Sequence, residues 1–292
     1  MKQLHQRYRI CNKYVIVRVF IMLSIDRQRL LMMQLKSIGS IKIAESAKKF
    51  KVSEETIRRD LNTISEILPI RKIYGGAYIK TGTDDAPIDF RQSFFSKEKE
   101  NMAYECLKLI NGHESIMLDS STTTSYIAKY LSEIHHSLTV ITNSIVAADC
   151  LSSIDNVTVF CLGGRLRNKA KSFVGSDALN MIKHYVADIA FISPAGLNPD
   201  FGLTDFSTDE CHIRRAMLQN SLKHCLVADH TKLLTNDLKG TNIVCPLADI
   251  DYMISDRELS PAWSKACIEN NIKVTIAHPT QEPTLDSQSD IP

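Results

Sequence analysis

The chain has 292 residues, 44% of them hydrophobic, and a formal net charge of +2, enough apolar sequence for one small and one large core. That near-neutral total conceals an asymmetry: residues 1–80 carry 17 Lys+Arg against 6 Asp+Glu, and residues 81–292 carry 18 against 27. A basic N-terminal part joined to an acidic remainder points to a polyanion partner for the basic end, and eight cysteines (11, 106, 150, 161, 211, 225, 245 and 267) without C-x-x-C spacing argue for buried free thiols in a reducing cytoplasm over disulfides or a metal site.

Residues 1–23 read as an extended or disordered arm. The apolar run from Tyr14 is interrupted by Arg18, no small-residue cleavage site follows, and ten residues cannot span a bilayer, so neither secretion nor a membrane partner is expected. A winged helix-turn-helix domain is predicted over 24–79. Its first helix covers 26–37, with Leu30, Leu31 and Leu35 inside and Gly39 closing it. The helix-turn-helix occupies 41–60: a short helix over 41–50 with Ile43, Ala44, Ala47 and Phe50 inward, a tight turn, and a second helix capped by Ser53. Ile57, Leu61 and Ile64 recur at helical spacing and mark the buried side of that second helix. Ser53, Glu55, Thr56, Arg58, Arg59 and Asn62 are the candidate DNA-reading residues, since arginine can grip guanine through two hydrogen bonds or neutralise a phosphate. A two-stranded wing follows over 70–79. Gly75 and Gly76 permit its turn, and Arg71, Lys72 and Tyr74 are placed to touch the sugar-phosphate backbone.

Residues 80–96 read as a linker and 277–292 as a disordered, proline-bearing tail. Between them, over 97–276, helices alternate with short apolar strands at 115–119, 138–142, 157–162, 189–192, 224–229, 251–255 and 273–276, and one helix is expected around 214–222. That alternation predicts an α/β layered fold with a mostly parallel sheet, whose ligands bind where strands end. Four such ends are polar. Asp119, Ser120, Ser121, Thr122, Thr123 and Thr124 form a hydroxyl-rich strand-to-helix turn, a natural phosphate cradle with more hydroxyls than a helix cap needs. Asn143 ends the next strand, Gly163, Gly164 and Arg165 the one after, and Lys232 follows a later strand and can pair with an anionic substituent. One anionic, hydroxyl-rich ligand accounts for all four.

The stretch 52–61, the Tyr74-Gly75-Gly76-Ala77 wing, and the segments 140–144, 162–164 and 228–232 together resemble the DeoR family of bacterial transcription regulators, over about residues 24–276. The resemblance implies an N-terminal DNA reader, a C-terminal sensor related in fold to ribose-5-phosphate isomerase, a phosphorylated sugar as effector, repression relieved by that effector, and homo-oligomeric assembly as dimer or tetramer on double-stranded operator DNA. No cofactor, metal or catalytic residue is expected. The chain departs from the family pattern at Ser121 of the phosphate loop and near Ser193, two places where glycine is usual, and at Pro69 before the wing; the loop 193–196 ends at Gly196, a further candidate for the effector site. Two rivals are an aldose–ketose isomerase and a DNA-binding protein whose C-terminal domain serves only oligomerisation. Isomerisation needs a positioned base, and residues 194–198 offer no carboxylate.

Overall fold

The computed structural model describes residues 23–79, 88–92, 94–112, 114–133, 137–233 and 240–278; the expected arm over 1–22, residues 80–87 of the expected linker and residues 279–292 of the expected tail lie outside them. The chain divides into two compact units between Tyr78 and Ile79.

In the first unit, helices α1 (Ser24–Ile38), α2 (Ile43–Phe50) and α3 (Glu54–Ser65) accompany a three-stranded sheet of β1 (Ser40–Lys42), β2 (Ile70–Ile73) and β3 (Gly76–Ile79), ordered β1-β3-β2. Gly39 ends α1 in the left-handed region at φ 84°, donating its N–H to the Leu35 carbonyl at 2.8 Å. The core is Leu31, Leu35, Ile43, Ala47, Phe50, Ile57, Leu61 and Ile64, closed by Ile41, Ala77 and Tyr78 from the sheet. Three expectations are corrected here. Residues 41 and 42 are strand, because Ser40, Ile41 and Lys42 pair with Tyr78, Ala77 and Gly76 and extend the wing into a third strand. Ala44 is exposed, since the stripe at i, i+3, i+4 and i+7 is Ile43, Ser46, Ala47 and Phe50. Leu30 is 41% exposed, flanking a stripe of Arg27, Leu31 and Leu35 in which the buried Arg27 is ion-paired with the buried Asp60 of α3.

The second unit contains α4 (Ile88–Gln92), α5 (Ser96–Leu107), β4 (Ser115–Leu118), α6 (Thr122–Tyr130), β5 (Leu138–Thr142), α7 (Ile145–Leu151), β6 (Val157–Cys161), β7 (Arg165–Arg167), β8 (Ser172–Val174) and α8 (Ser176–Ile182). It continues through β9 (Ala187–Ile192), β10 (Gly196–Asn198), β11 (Gly202–Asp205), α9 (Thr208–Gln219), β12 (Ser221–Ala228), α10 (His230–Leu233), β13 (Asn242–Cys245), β14 (Tyr252–Ser255), α11 (Pro261–Glu269) and β15 (Lys273–Ile276). Seven strands form one sheet in the order β15-β14-β12-β9-β4-β5-β6, every neighbouring pair parallel. Alternate residues of a strand serve opposite faces: Met117, Ile141 and Ala190 pack with Ala178, Ile213, Met217 and Trp263 of α8, α9 and α11, while Ile116, Leu118, Val140 and Phe191 pack with Met102, Ile127 and Ala147 of α5, α6 and α7.

The helix expected around 214–222 lies earlier, at Thr208–Gln219, because the apolar run after Asn220 is taken by β12. Part of the expected linker has structure: Ile88 is fully buried, and α4 opens the second unit. The β7–β8 hairpin and the small antiparallel sheet β10-β11-β13 were not read from the sequence; their strands of three or four residues are too short to leave a pattern.

Candidate functional site

In the first unit the geometry of α3 follows from its cap. Ser53 Oγ accepts the Thr56 N–H at 3.2 Å and lies 2.9 Å from Thr56 Oγ1, so those two hydroxyls are turned to each other at the helix start. With Ile57, Asp60, Leu61 and Ile64 buried, Arg58, Arg59 and Asn62 are left exposed. Both arginines rest on carboxylates one turn back, Arg58 on Glu54 at 3.1 Å and Arg59 on Glu55 at 3.5 Å. Such surface pairs are worth about 0.3–0.5 kcal/mol and are readily exchanged for a phosphate or a base edge. Lys72 of β2 donates to Asn62 Oδ1 at 2.8 Å, tying the wing to the helix. Arg71 is exposed and Tyr74 is 78% exposed at the wing turn, beside Gly75 at φ 81°. Gly76 is buried in register with Lys42, so it shapes the wing without being displayed.

In the second unit the strand order reverses direction between β4 and β9, since β4 to β6 run one way across the sheet and β9 to β15 the other. Crevices at such a reversal are where open α/β sheets take their ligands. Asp119, fully buried, stands at the end of β4 and organises it. Its Oδ1 accepts the Ser121 N–H at 3.0 Å and the Thr124 hydroxyl at 2.8 Å; its Oδ2 accepts the Ser193 N–H, beyond β9, at 3.0 Å and Arg214 Nε at 2.6 Å. Burial alone would raise this carboxyl's pKa, but the Arg214 guanidinium and the N–H donors outweigh it and hold it below the usual value. Arg214 also binds Asp205, so a buried cation sits between two carboxylates.

The hydroxyl run is less available than its composition implies. Ser120 donates to Glu210 at 2.9 Å, Ser121 caps α6 by accepting the Thr124 N–H at 3.1 Å, and Thr124 is spent on Asp119. What remains at the α6 start are the Thr122 and Thr123 hydroxyls and the first-turn amides of the same residues, none with a partner among the described residues. Just after the adjacent β5, Asn143 donates to the Phe173 carbonyl at 3.1 Å and lies 3.4 Å from Glu210 Oε2, while its Oδ1 is buried with no donor. Gly164, at φ 126°, makes a close approach: a Cβ there would stand 2.7 Å from the Val174 carbonyl oxygen, whereas Gly163 has open space. Arg165 is exposed and paired with Asp209, and Gly196 is buried at the start of β10 opposite Thr204. Lys232 reaches Ser193 Oγ at 2.5 Å; burial lowers its pKa, opposed by Asp229.

Four residues at the centre of this rim were not singled out from the sequence. Glu210 gathers Ser120, Asn143, Ser172 and Arg167, the last at 2.8 Å, joining three loops through one buried carboxylate. Arg214 and Asp205 support Asp119, and Lys99 of α5, 4% exposed, donates to the Arg91 and Phe94 carbonyls at 2.8 and 2.7 Å. A signal existed for two of them: Glu210, Ile213, Arg214 and Met217 share one face of α9, so charged residues occupy its apolar stripe. Of the carboxylates near residues 194–198, Asp205 is bound by Arg214 and by the Ser207 N–H, and Asp200 is exposed in a turn. Among the described residues no group of three or more His, Cys, Asp or Glu can hold a metal, and no helix is long and apolar enough to cross a membrane.

Residues 27–83 match the DeoR-like helix-turn-helix domain and residues 95–257 the DeoR C terminal sensor domain. The chain belongs to the DeoR family. It is 32% identical over 256 residues to the HTH-type transcriptional regulator YulB of Bacillus subtilis, covering 87% of this chain and 97% of that one. It is 30% identical to the glycerol-3-phosphate regulon repressor of Haemophilus influenzae, covering 74% of this chain and 83% of that one, and 30% identical to the transcriptional repressor GlcR of Bacillus subtilis, covering 77% and 86%. Ribose 5-phosphate isomerase A of Neisseria gonorrhoeae aligns with 46% of this chain and 52% of its own, at 13% identity and a TM-score of 0.34, a likeness that carries no argument here.

Proposed function

We propose that this DeoR-family chain is a sequence-specific regulator that represses a sugar or carbohydrate catabolic operon and is released from double-stranded operator DNA by a phosphorylated sugar. Arg58, Arg59, Thr56 and Asn62 read the major groove, with Ser53 and Glu55 setting the helix start and the Arg59 rotamer. Arg71, Lys72 and Tyr74 hold the backbone from a wing shaped by Gly75 and Gly76. A homo-oligomer sets two recognition helices at the spacing of its half-sites. The names of the relatives, two of them repressors and one of these of a glycerol-3-phosphate regulon, support this reading.

The observation that carries the sensor is the buried, donorless Asn143 Oδ1 beside an α6 start whose first amides lack acceptors. One wants a hydroxyl and the other an anion, and a phosphosugar brings both. Thr122 and Thr123 hold the phosphate with Lys232 opposite, in a turn shaped by Ser120, Ser121 and Thr124; Gly163, Gly164 and Arg165 border the sugar, and Asp119 and Gly196 keep the loops in place.

Paired variants test the separation of roles. Arg58→Ala weakens operator binding by about 1–3 kcal/mol, as loss of a bidentate base contact does, while the thermal stabilisation given by phosphosugars persists. Lys232→Ala loses that stabilisation and keeps operator binding. A folded Lys232→Ala protein that no longer binds DNA contradicts the assignment.

A further inference from the structure

A short strap opens the second unit, and it is tied to the rim at several points. Ile88 is buried and its N–H binds the Lys169 carbonyl, in the β7–β8 connection, at 2.9 Å. Tyr126 of α6 donates its hydroxyl to the Gln92 carbonyl at 3.2 Å. Phe95, held in the left-handed region at φ 53°, sets its ring edge-on to His230, 5.1 Å between centroids, and His230 Nδ1 lies 2.6 Å from Asp256. A further tie is Lys99, whose ammonium holds the Arg91 and Phe94 carbonyls.

Lys99 is a buried cation without a carboxylate of its own. Two of its three N–H donors go to carbonyls, and the third has no partner among the described residues. Asp229 and, more weakly, Glu98 are the acids acting on it, and Asp229 also serves Lys232 and accepts the Thr231 N–H at 3.0 Å. Lys99 and Lys232 therefore both draw on the Asp229 carboxylate in a desolvated place. Burial lowers the Lys99 pKa to about 8, the loss of solvent outweighing the pull of Asp229. An anion added at this rim supplies what is missing, through a charge-assisted bond to the remaining donor.

We propose that Lys99 is a ligand-contacting residue that couples the rim to the strap: its third N–H binds the anionic group of the effector beside Lys232, while the other two hold the Arg91 and Phe94 carbonyls, so that ligand binding tightens residues 88–95. The inference rests on the sensor reading and gives it a route. The strap is the stretch of the second unit that leads back through residues 80–87 to the DNA-reading unit, so its stiffness is what a bound effector can change.

Hydrogen exchange on the full chain tests this, with ribose 5-phosphate, fructose 6-phosphate, glycerol 3-phosphate and inorganic phosphate as saturating probes. In the wild type a binding probe slows exchange at residues 119–124 and, by about fivefold or more, at 88–95, as added local stability requires. In Lys99→Met the same probe, at a concentration raised to saturate, still slows 119–124 and leaves 88–95 unchanged. Lys99→Gln, which keeps two N–H donors for the carbonyls but loses the charge and the third donor, gives the same result and serves if the methionine variant does not fold. Slowing at 119–124 without slowing at 88–95 in the wild type overturns the coupling and leaves the sensor standing. No slowing anywhere with any probe overturns the sensor reading and the coupling with it.

Discussion

Single residues in the second unit do more than their types announce. Asp119 receives two backbone N–H groups, a hydroxyl and a guanidinium while fully buried, so its charge is matched from every side. Replacing it with Asn leaves Arg214 partly uncompensated and puts an amide donor against other donors, at a cost of about 3–5 kcal/mol. Urea unfolding at pH 7 measures this, and a loss below about 1 kcal/mol would mean that the carboxylate is not the organising group. The pH dependence has a definite sign. Because the folded Asp119 carboxyl titrates below its usual value of 3.8, its stabilisation is fully present above the unfolded pKa and is lost as pH falls through the folded one. Asp229 and Asp188 shift the same way, Asp229 by Lys232 against its burial and Asp188 chiefly by the Ser115 N–H and hydroxyl. Wild-type stability therefore declines below about pH 4, and the Asp119→Asn protein declines less steeply over that range.

At the scale of elements, the two glycines after β6 separate a packing requirement from a ligand approach. Gly164→Ala forces a Cβ onto the Val174 carbonyl in a conformation L-residues avoid, and destabilises by about 2 kcal/mol or more. Gly163→Ala meets nothing and stays within about 0.5 kcal/mol of wild type in the same unfolding experiment. The same scale explains what could be read in advance. The seven strands of the large sheet were legible because each is an apolar run bounded by polar turns, and α3 because Ser53 caps it and Ile57, Leu61 and Ile64 are periodic. Ala44 and Leu30 were misplaced because alanine and a leucine beside a leucine fit two faces of a helix equally well. Glu210, Arg214 and Lys99 went unread because a charged side chain is normally solvated; only tertiary structure supplies the hydroxyls, carboxylates and carbonyls that let these three be buried. The five-hydroxyl turn was legible as polar, but its allocation to Glu210, Asp119 and the α6 cap depends on residues about 90 positions away in sequence.

For the whole molecule, the charge division seen in the sequence maps onto the two units: the basic first unit carries the exposed arginines of α3, and the acidic second unit concentrates buried cations at its strand ends. An effector at that rim shifts DNA binding only to the extent that it prefers one arrangement of the chain over another, and a ligand with equal affinity for both shifts nothing. The central claim is that occupancy of the rim by a phosphosugar changes operator affinity. The most direct measurement is binding of the purified full-length protein to the DNA upstream of its own gene, at fixed salt, with and without each member of a phosphosugar panel. The account predicts sequence-specific binding that one phosphosugar weakens about tenfold or more, a coupling of at least about 1.4 kcal/mol. Specific binding that no phosphosugar alters would contradict it and leave the second unit an oligomerisation domain.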